Sequence, residues 1–111
     1  MGDKKIRGGA LVARALRDKG IDNVFTLSGG FCNPALEGFM ECQINVINCP
    51  HEQIAGHLAD GHTRISRKPS VCIVGPEGFA NAVPSMMEAW GERSPVIFIT
   101  GSSSLKRQGA G

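Results

Sequence analysis

The chain has 111 residues, of which 41% are hydrophobic and 20% are charged. This length and balance are typical of one globular domain and exclude a disordered or fibrous chain. Twelve Lys and Arg residues against ten Asp and Glu residues leave a net charge of +2, which is too small to indicate a nucleic-acid or membrane-surface binder. No apolar run approaches the roughly 18 residues of a membrane span, and no signal-peptide core follows the N-terminus. We therefore expect a cytoplasmic protein.

Predicted helices and strands alternate along the whole chain. Helical spacing of apolar residues predicts helices over residues 8–19, 34–42 and 50–66, and a fourth that follows residue 78. Short apolar runs predict strands over residues 24–27, 44–48, 71–74 and 96–100. Asn33 is predicted as the N-cap of the second helix with Pro34 at its first position. Pro84 is expected in the first turn of the fourth helix or at a kink in it.

The third predicted strand is apolar at every position, as expected for a strand covered on both sides. Strict alternation of helices with such strands predicts an α/β fold of three layers, α/β/α, around a mostly parallel sheet of about four strands. Functional loops of such a sheet follow the carboxyl ends of the strands. The segments in which a site is expected are therefore 28–33, 48–53, 75–81 and 101–108.

The cysteine and histidine residues do not predict a metal site. The cysteines show no C-x-x-C spacing, and Cys72 lies in an apolar run, so buried free thiols are expected. A zinc site built from Cys49, His51, His57 and His62 is disfavoured, because His57 and His62 are five residues apart, a poor spacing for one helical face.

Glu52 lies in the first turn of the third predicted helix, directly after a strand. Acidic residues are common at this position because the helix dipole favours them, so Glu52 alone does not indicate a site. Ala55, Gly56 and Ala59 continue from it as a strip of small residues. Such a strip allows a cofactor or a second protein to approach closely, or it serves packing within the chain.

The turn Ser28-Gly29-Gly30 follows the first predicted strand and permits a close approach of the backbone to a ligand. A plain tight turn explains these residues equally well. The turn does not match the G-x-G-x-x-G fingerprint, and no acidic residue ends the next strand. A generic nucleotide-binding domain is therefore disfavoured.

The residues from His51 to Arg64 read H-E-Q-I-A-G-H-L-A-D-G-H-T-R. This segment resembles the H-E-x-x-A-x-x-x-A-x-G-Y-A-R segment of thiamine diphosphate enzymes of the acetolactate synthase and benzaldehyde lyase type. The likeness extends over nearly the whole chain, through short matches at residues 9–10, 24–25, 68–69, 94–96 and 100–101. The chain is similar to the N-terminal, pyrimidine-binding (Pyr) domain of that family.

The resemblance implies a role for Glu52, because the matching glutamate of the family hydrogen-bonds N1′ of the aminopyrimidine and helps the ring reach its 4′-imino tautomer. Cofactor contacts are implied at Ser28, Gly29, Gly30, Glu52, Gly75, Gly78 and Asn81. Pro76 and Glu77 depart from the family's glycine-rich loop. In the family, Mg²⁺ and the diphosphate are held by another domain whose motif begins Gly-Asp-Gly, and this chain has no such Gly-Asp-Gly-x-Asp segment.

The implied function is that of a thiamine diphosphate-binding domain in an acetolactate synthase-like carboligase or decarboxylase of 2-keto acids. We expect it to be inactive without a diphosphate-binding domain or subunit. Family Pyr domains have two more strands, so residues 1–111 are expected to form one domain truncated at its C-terminus. Its sheet edge beyond the fourth strand is then exposed or covered in a homo-oligomer. The alternative is a non-catalytic assembly module with Ala55, Gly56 and Ala59 as its dimer seam.

Overall fold

A computed structural model of the chain describes residues 6–107 and 109. These residues form, in chain order, α1 (Gly8–Asp18), β1 (Asn23–Thr26), α2 (Asn33–Glu41), β2 (Asn45–Asn48), α3 (Glu52–Ser66), β3 (Ser70–Val74), α4 (Phe79–Gly91) and β4 (Val96–Thr100), followed by a 3-10 turn at Leu105–Arg107. Every predicted helix and strand is present, although the last predicted loop segment, 101–108, ends at a residue outside the described ones. No helix in the described ranges is long and apolar enough to cross a membrane.

The strands form one parallel sheet in the order β2-β1-β3-β4. Val24 of β1 is in register with Val46 of β2 and Val71 of β3, and Cys72 of β3 is in register with Phe98 of β4. All positions of β3 are buried, as its uninterrupted apolar run predicted. The predicted α/β fold with a parallel sheet is confirmed.

Helices cover both faces of the sheet. On one face, Val24 and Val71 pack into a core with Phe39 of α2, whose ring is fully buried. On the other face, Phe25 and Cys72 pack against alanines of α3 and α4. Because successive side chains of a strand point to opposite faces, each central strand serves both cores, and the three layers follow.

The strip of small residues on α3 faces the interior of the chain. Ala55 and Ala59 are fully buried, and a Cβ atom at Gly56 would lie only 1.8 Å from Oγ of Ser85 on α4. The strip therefore serves to bring α3 close to α4 and the sheet. The predicted dimer seam at Ala55, Gly56 and Ala59 is wrong, because packing within the chain already covers these residues.

An ionic cluster links the same two helices. Asp60 of α3 is buried and receives hydrogen bonds of 2.8 and 3.1 Å from Arg64. Arg64 also reaches Glu88 of α4, at 3.2 Å. Burial opposes ionisation of Asp60, but the hydrogen bonds from Arg64 and Ser94 outweigh it and lower the pKa of this carboxyl group below its usual value of 3.8. Arg64 thus bridges a buried charge on α3 to an exposed charge on α4.

The helix starts differ from the predictions in detail. Asn33 is the first residue of α2 rather than its N-cap, and Cys32 takes the cap position without a side-chain hydrogen bond. The reason is a turn in which the backbone N–H of Cys32 donates to the carbonyl of Gly29 at 2.9 Å, so that winding begins one residue early. Pro84 lies beyond the first turn of α4, and the helix continues through it to Gly91.

Three of the cysteines, Cys32, Cys49 and Cys72, are buried free thiols, as predicted. Burial raises the pKa of the Cys72 thiol to about 12, with a smaller contribution from Cys49 nearby. Such thiols are poor nucleophiles because the reactive thiolate form is scarce. Within residues 6–107 and 109, no three His, Cys, Asp or Glu side chains are grouped so that they could hold a metal ion.

Replacing Gly56 by alanine should destabilise the chain by about 1–3 kcal/mol, because the new methyl group overlaps Ser85 in a packed contact. Gly61→Ala is the matched control on the same helix. A Cβ atom there would have no neighbour within 4 Å in the part of the chain that the structure describes, and alanine favours a helix by about 1 kcal/mol over glycine. Urea unfolding followed by circular dichroism measures both variants. Equal stability of Gly56→Ala and the wild type would contradict the tight contact between α3 and α4.

Candidate functional site

The candidate site lies along the edge of the sheet where the strands end. All strands are parallel, so the loops after their carboxyl ends meet at one edge. Residues 28–30 follow β1, Glu52 follows β2, and residues 75–78 follow β3. Gly101 follows β4, and a Cβ atom there would lie 2.7 Å from the carbonyl oxygen of Phe31. The loops after β1 and β4 are therefore in contact.

Glu52 is the first residue of α3, in the first turn as predicted, and it is half-buried. His51 is the N-cap, with an extended backbone, and its Nδ1 accepts a hydrogen bond of 3.0 Å from the backbone N–H of Gln53. The imidazole thereby satisfies one of the free N–H groups at the helix start. Because His51 provides this cap, the Glu52 carboxyl group is free to turn toward α4.

Two other predicted site residues surround the Glu52 carboxyl group. Nδ2 of Asn81, in the first turn of α4, donates a hydrogen bond of 3.3 Å to Oε2 of Glu52. Gly78 is the N-cap of α4, and a Cβ atom there would lie 2.2 Å from Oε1. The carboxyl group therefore occupies the space that a side chain at position 78 would fill. Glu52, Gly78 and Asn81 form one cluster between the first turns of α3 and α4.

Gly75 lies in the same loop as Gly78 but apart from this cluster. Among the described residues, a Cβ atom at Gly75 would have only Oε2 of Glu77 within 4 Å, at 3.7 Å. Glu77, which departs from the family's loop pattern, is exposed. Its charge is therefore next to Gly75 and in contact with solvent.

The turn at Ser28, Gly29 and Gly30 is a second part of the same edge. The backbone N–H of Ser28 donates to Oδ1 of Asn48 at 3.1 Å, which ties the turn to the end of β2. Cβ atoms at Gly29 and Gly30 would have no atom of residues 6–107 and 109 within 4 Å, so the space beside both residues is open in this part of the chain. No hydrogen bond among the described residues joins this turn to Glu52.

A crevice of about 350 Å³ opens beside this turn, between β1, β2 and α2, and Thr26 and Asn48 are among its lining residues. Thr26 is fully buried, and its Oγ1 has no hydrogen-bond partner within the part of the chain that the structure describes.

Nothing in the sequence distinguishes Thr26 as a residue that lines this crevice, because threonine is common in strands. The sequence contains a weak signal for the His51 cap, namely a polar residue directly before an acidic helix start.

Comparison with known families identifies the cofactor class. Residues 6–111 match the family model described as "Thiamine pyrophosphate enzyme, N-terminal TPP binding domain". The chain belongs to this family. Thiamine pyrophosphate is thiamine diphosphate under another name, so the predicted resemblance to a Pyr domain is confirmed.

The relatives of this Pyr domain are much longer proteins. A probable acetolactate synthase of Mycobacterium bovis is 37% identical over 108 residues, which cover 96% of this chain and 20% of the relative. The 2-hydroxyacyl-CoA lyase 2 of Danio rerio is 36% identical over 106 residues, which cover 94% of this chain and 17% of the relative. The chain therefore spans a fifth or less of the length of these relatives.

A solved structure supports the fold. The thiamine diphosphate-dependent 4-hydroxybenzoylformate decarboxylase of Rhodococcus jostii superposes with a TM-score of 0.85 at 20% identity, over 92% of this chain and 19% of that chain. At this identity the likeness concerns the fold alone. The family match and the acetolactate synthase relative make the chain a thiamine diphosphate-binding N-terminal domain of the acetolactate synthase-like type.

Gly78→Ala should displace the Glu52 carboxyl group and leave the fold intact. The new Cβ atom overlaps Oε1, but the backbone φ of −80° at residue 78 suits alanine, and the half-buried Glu52 side chain can swing outward. Gly75→Ala is the matched control, because a Cβ atom there is 3.7 Å from the nearest atom. Crystal structures of both variants should show a moved Glu52 in Gly78→Ala alone. An unmoved carboxyl group in that variant would contradict the predicted overlap.

Proposed function

We propose that the chain binds the aminopyrimidine ring of thiamine diphosphate through Glu52, as the N-terminal domain of an acetolactate synthase-like carboligase or decarboxylase of 2-keto acids. The observation that carries the proposal is the carboxyl group of the half-buried residue Glu52, which lies at the carboxyl edge of the sheet beside Gly78 and accepts a hydrogen bond from Asn81. The named relatives, an acetolactate synthase and a lyase, support this class of reaction.

The residues at this edge fit an aminopyrimidine ring. A carboxyl group can exchange a proton with a ring nitrogen within hydrogen-bond reach. The open space beside Gly29 and Gly30 supports the approach of a flat ring to the backbone, because no side chain of those residues obstructs it. We assign the diphosphate and Mg²⁺ to another domain, as the family resemblance implies.

Thiamine diphosphate, when bound, supplies the carbanion stabilisation that carbon–carbon bond chemistry beside a carbonyl group requires. The chain itself contributes binding and proton control. Glu52 is assigned to hydrogen-bond N1′ of the ring and to hold or move a proton at that atom. Ser28, Gly29, Gly30 and Gly75 complete the proposed contacts through their backbone.

A diphosphate-binding domain is the proposed occupant of the outer surface of α3 and α4. We define this outer surface by the exposed large apolar side chains of the two helices, Ile54, Leu58 and Ile65 on α3 and Val83, Met87 and Trp90 on α4. Leu58 and Ile65 line a crevice on the β2 side of the helix pair, and Met87 and Trp90 line another on the β4 side. The exposed fraction reaches 79% at Trp90 and 88% at Ile65, and a concentration of such side chains is typical of an interaction surface. Both helices begin at the Glu52 cluster, so a domain that covers their first turns would lie beside the carboxyl group. The greater length of the relatives supports such a domain.

A second copy of the chain is the alternative occupant, which would make the protein a non-catalytic assembly module or a homo-oligomeric enzyme. The same outer surface favours it, because a symmetric dimer would also remove these side chains from water. The buried strip on α3 cannot take part in such a dimer interface.

A cytoplasmic location stays a prediction.

The chain should be inactive alone and should restore pyruvate turnover when mixed with thiamine diphosphate, Mg²⁺ and the diphosphate-binding domain of a full-length relative. Glu52→Gln should lower kcat by about 100-fold or more, because an amide cannot exchange a proton with the ring nitrogen. Glu77→Gln removes an exposed carboxyl group nearby and serves as the control, with activity near that of the wild type. Equal activity of Glu52→Gln and the wild type would refute the role of Glu52.

Leu58→Asp should weaken binding of that diphosphate-binding domain by about 10-fold or more, because a charge would have to be buried in the interface. Leu11→Asp on α1 is the matched control, since Leu11 is 50% exposed and Leu58 is 45% exposed. Sedimentation velocity measures the association and the state of the chain alone. A wild-type dimer that Leu58→Asp dissociates would favour the second copy as occupant, and equal binding by both variants would remove the outer surface from consideration.

A further inference from the structure

The Glu52 carboxyl group has a hydrogen-bond partner on α4. Asn81 was expected to contact the cofactor, but its amide points to Glu52, with Nδ2 3.3 Å from Oε2. The two residues come from different helices and are 29 positions apart in the chain. A hydrogen bond between them therefore fixes the carboxyl group of α3 relative to α4, and it does so at Oε2.

The start of α4 explains why a carboxyl group settles there. Gly78 provides no side-chain cap, and the first turn of α4 has no acidic residue. Negative charge is favoured at such a helix start, and Glu52 supplies it from the neighbouring helix. Gly78 leaves room for Oε1, and the Asn81 amide donates to Oε2. One oxygen is thus placed by shape and the other by a donor.

We propose that Asn81 is a positioning residue, which acts through Glu52 and holds its carboxyl group in the orientation that meets the pyrimidine ring. The proposal rests on the proposed function for the identity of that ring, whereas the contact itself belongs to the chain alone. Asn81 is exposed, so it adds little to the core, and its contribution is the direction of a single donor. A carboxyl group held in one orientation loses less rotamer freedom when a ligand arrives.

Asn81→Asp keeps the shape of the side chain and replaces the donor by a second carboxylate, whereas Asn81→Ala removes the whole amide group and adds no charge. Melting temperatures should change by less than about 4 °C, as for exposed positions in general. In the reconstituted enzyme, kcat should fall by about 10-fold or more in Asn81→Ala and further in Asn81→Asp, with KM for the 2-keto acid nearly unchanged. The control is Gln53→Ala, an exposed amide on α3 whose Nε2 lies near His57 instead of Glu52.

A nuclear magnetic resonance measurement on the chain without cofactor separates the two proposals. The side-chain amide protons of Asn81 should shift in Glu52→Gln and stay in place in Glu77→Gln. Unshifted Asn81 amide protons in Glu52→Gln, or wild-type kcat in Asn81→Asp, would overturn the positioning role. If the amide protons shift but the wild-type mixture shows no turnover, the contact stands and the proposed function fails.

Discussion

The contact between α3 and α4 is the constraint on which the candidate site depends. Gly56 lies so close to Ser85 that no side chain fits between them, and the buried alanines on the same side of α3 allow the whole helix to pack closely. The short distance between the two helices brings their first turns together at the sheet edge. A wider gap would separate Glu52 from Asn81, and the carboxyl group would then be surrounded by water instead of by a donor and a glycine.

Most of the fold could be predicted from the sequence because each element carries its own local signal. The uninterrupted apolar run of β3 indicates a strand covered on both sides, and alternation with helices leaves a parallel sheet as the simple solution. Even the position of Glu52 at a helix start follows from the strand before it. The misplaced N-cap at Asn33 shows the limit, because a turn at Gly29 and Cys32 shifts the helix start by one residue.

Two features could not be predicted from the sequence. One is the surface that the small-residue strip faces, and the other is the hydrogen-bond partner of Glu52. Helical spacing shows that Ala55, Gly56 and Ala59 share a face, but not whether that face meets a second molecule or a neighbouring helix. The link from Glu52 to Asn81 depends on how two distant segments pack. The family resemblance suggested Asn81 as a cofactor contact, and only the distance between Nδ2 and Oε2 reveals its hydrogen bond to Glu52.

The strand order has a consequence for how the cluster forms during folding. β1 pairs with β2, the next strand in the chain, and the two are connected by α2. β1 can pair with β3 only after the chain has crossed back over the sheet as α3. Glu52 lies at the start of that crossover, and Asn81 follows β3. The cluster therefore exists only after the crossover has closed. A ligand that needs both residues therefore binds only the fully folded state of the chain. By mass action, such a ligand stabilises the whole sheet rather than one helix.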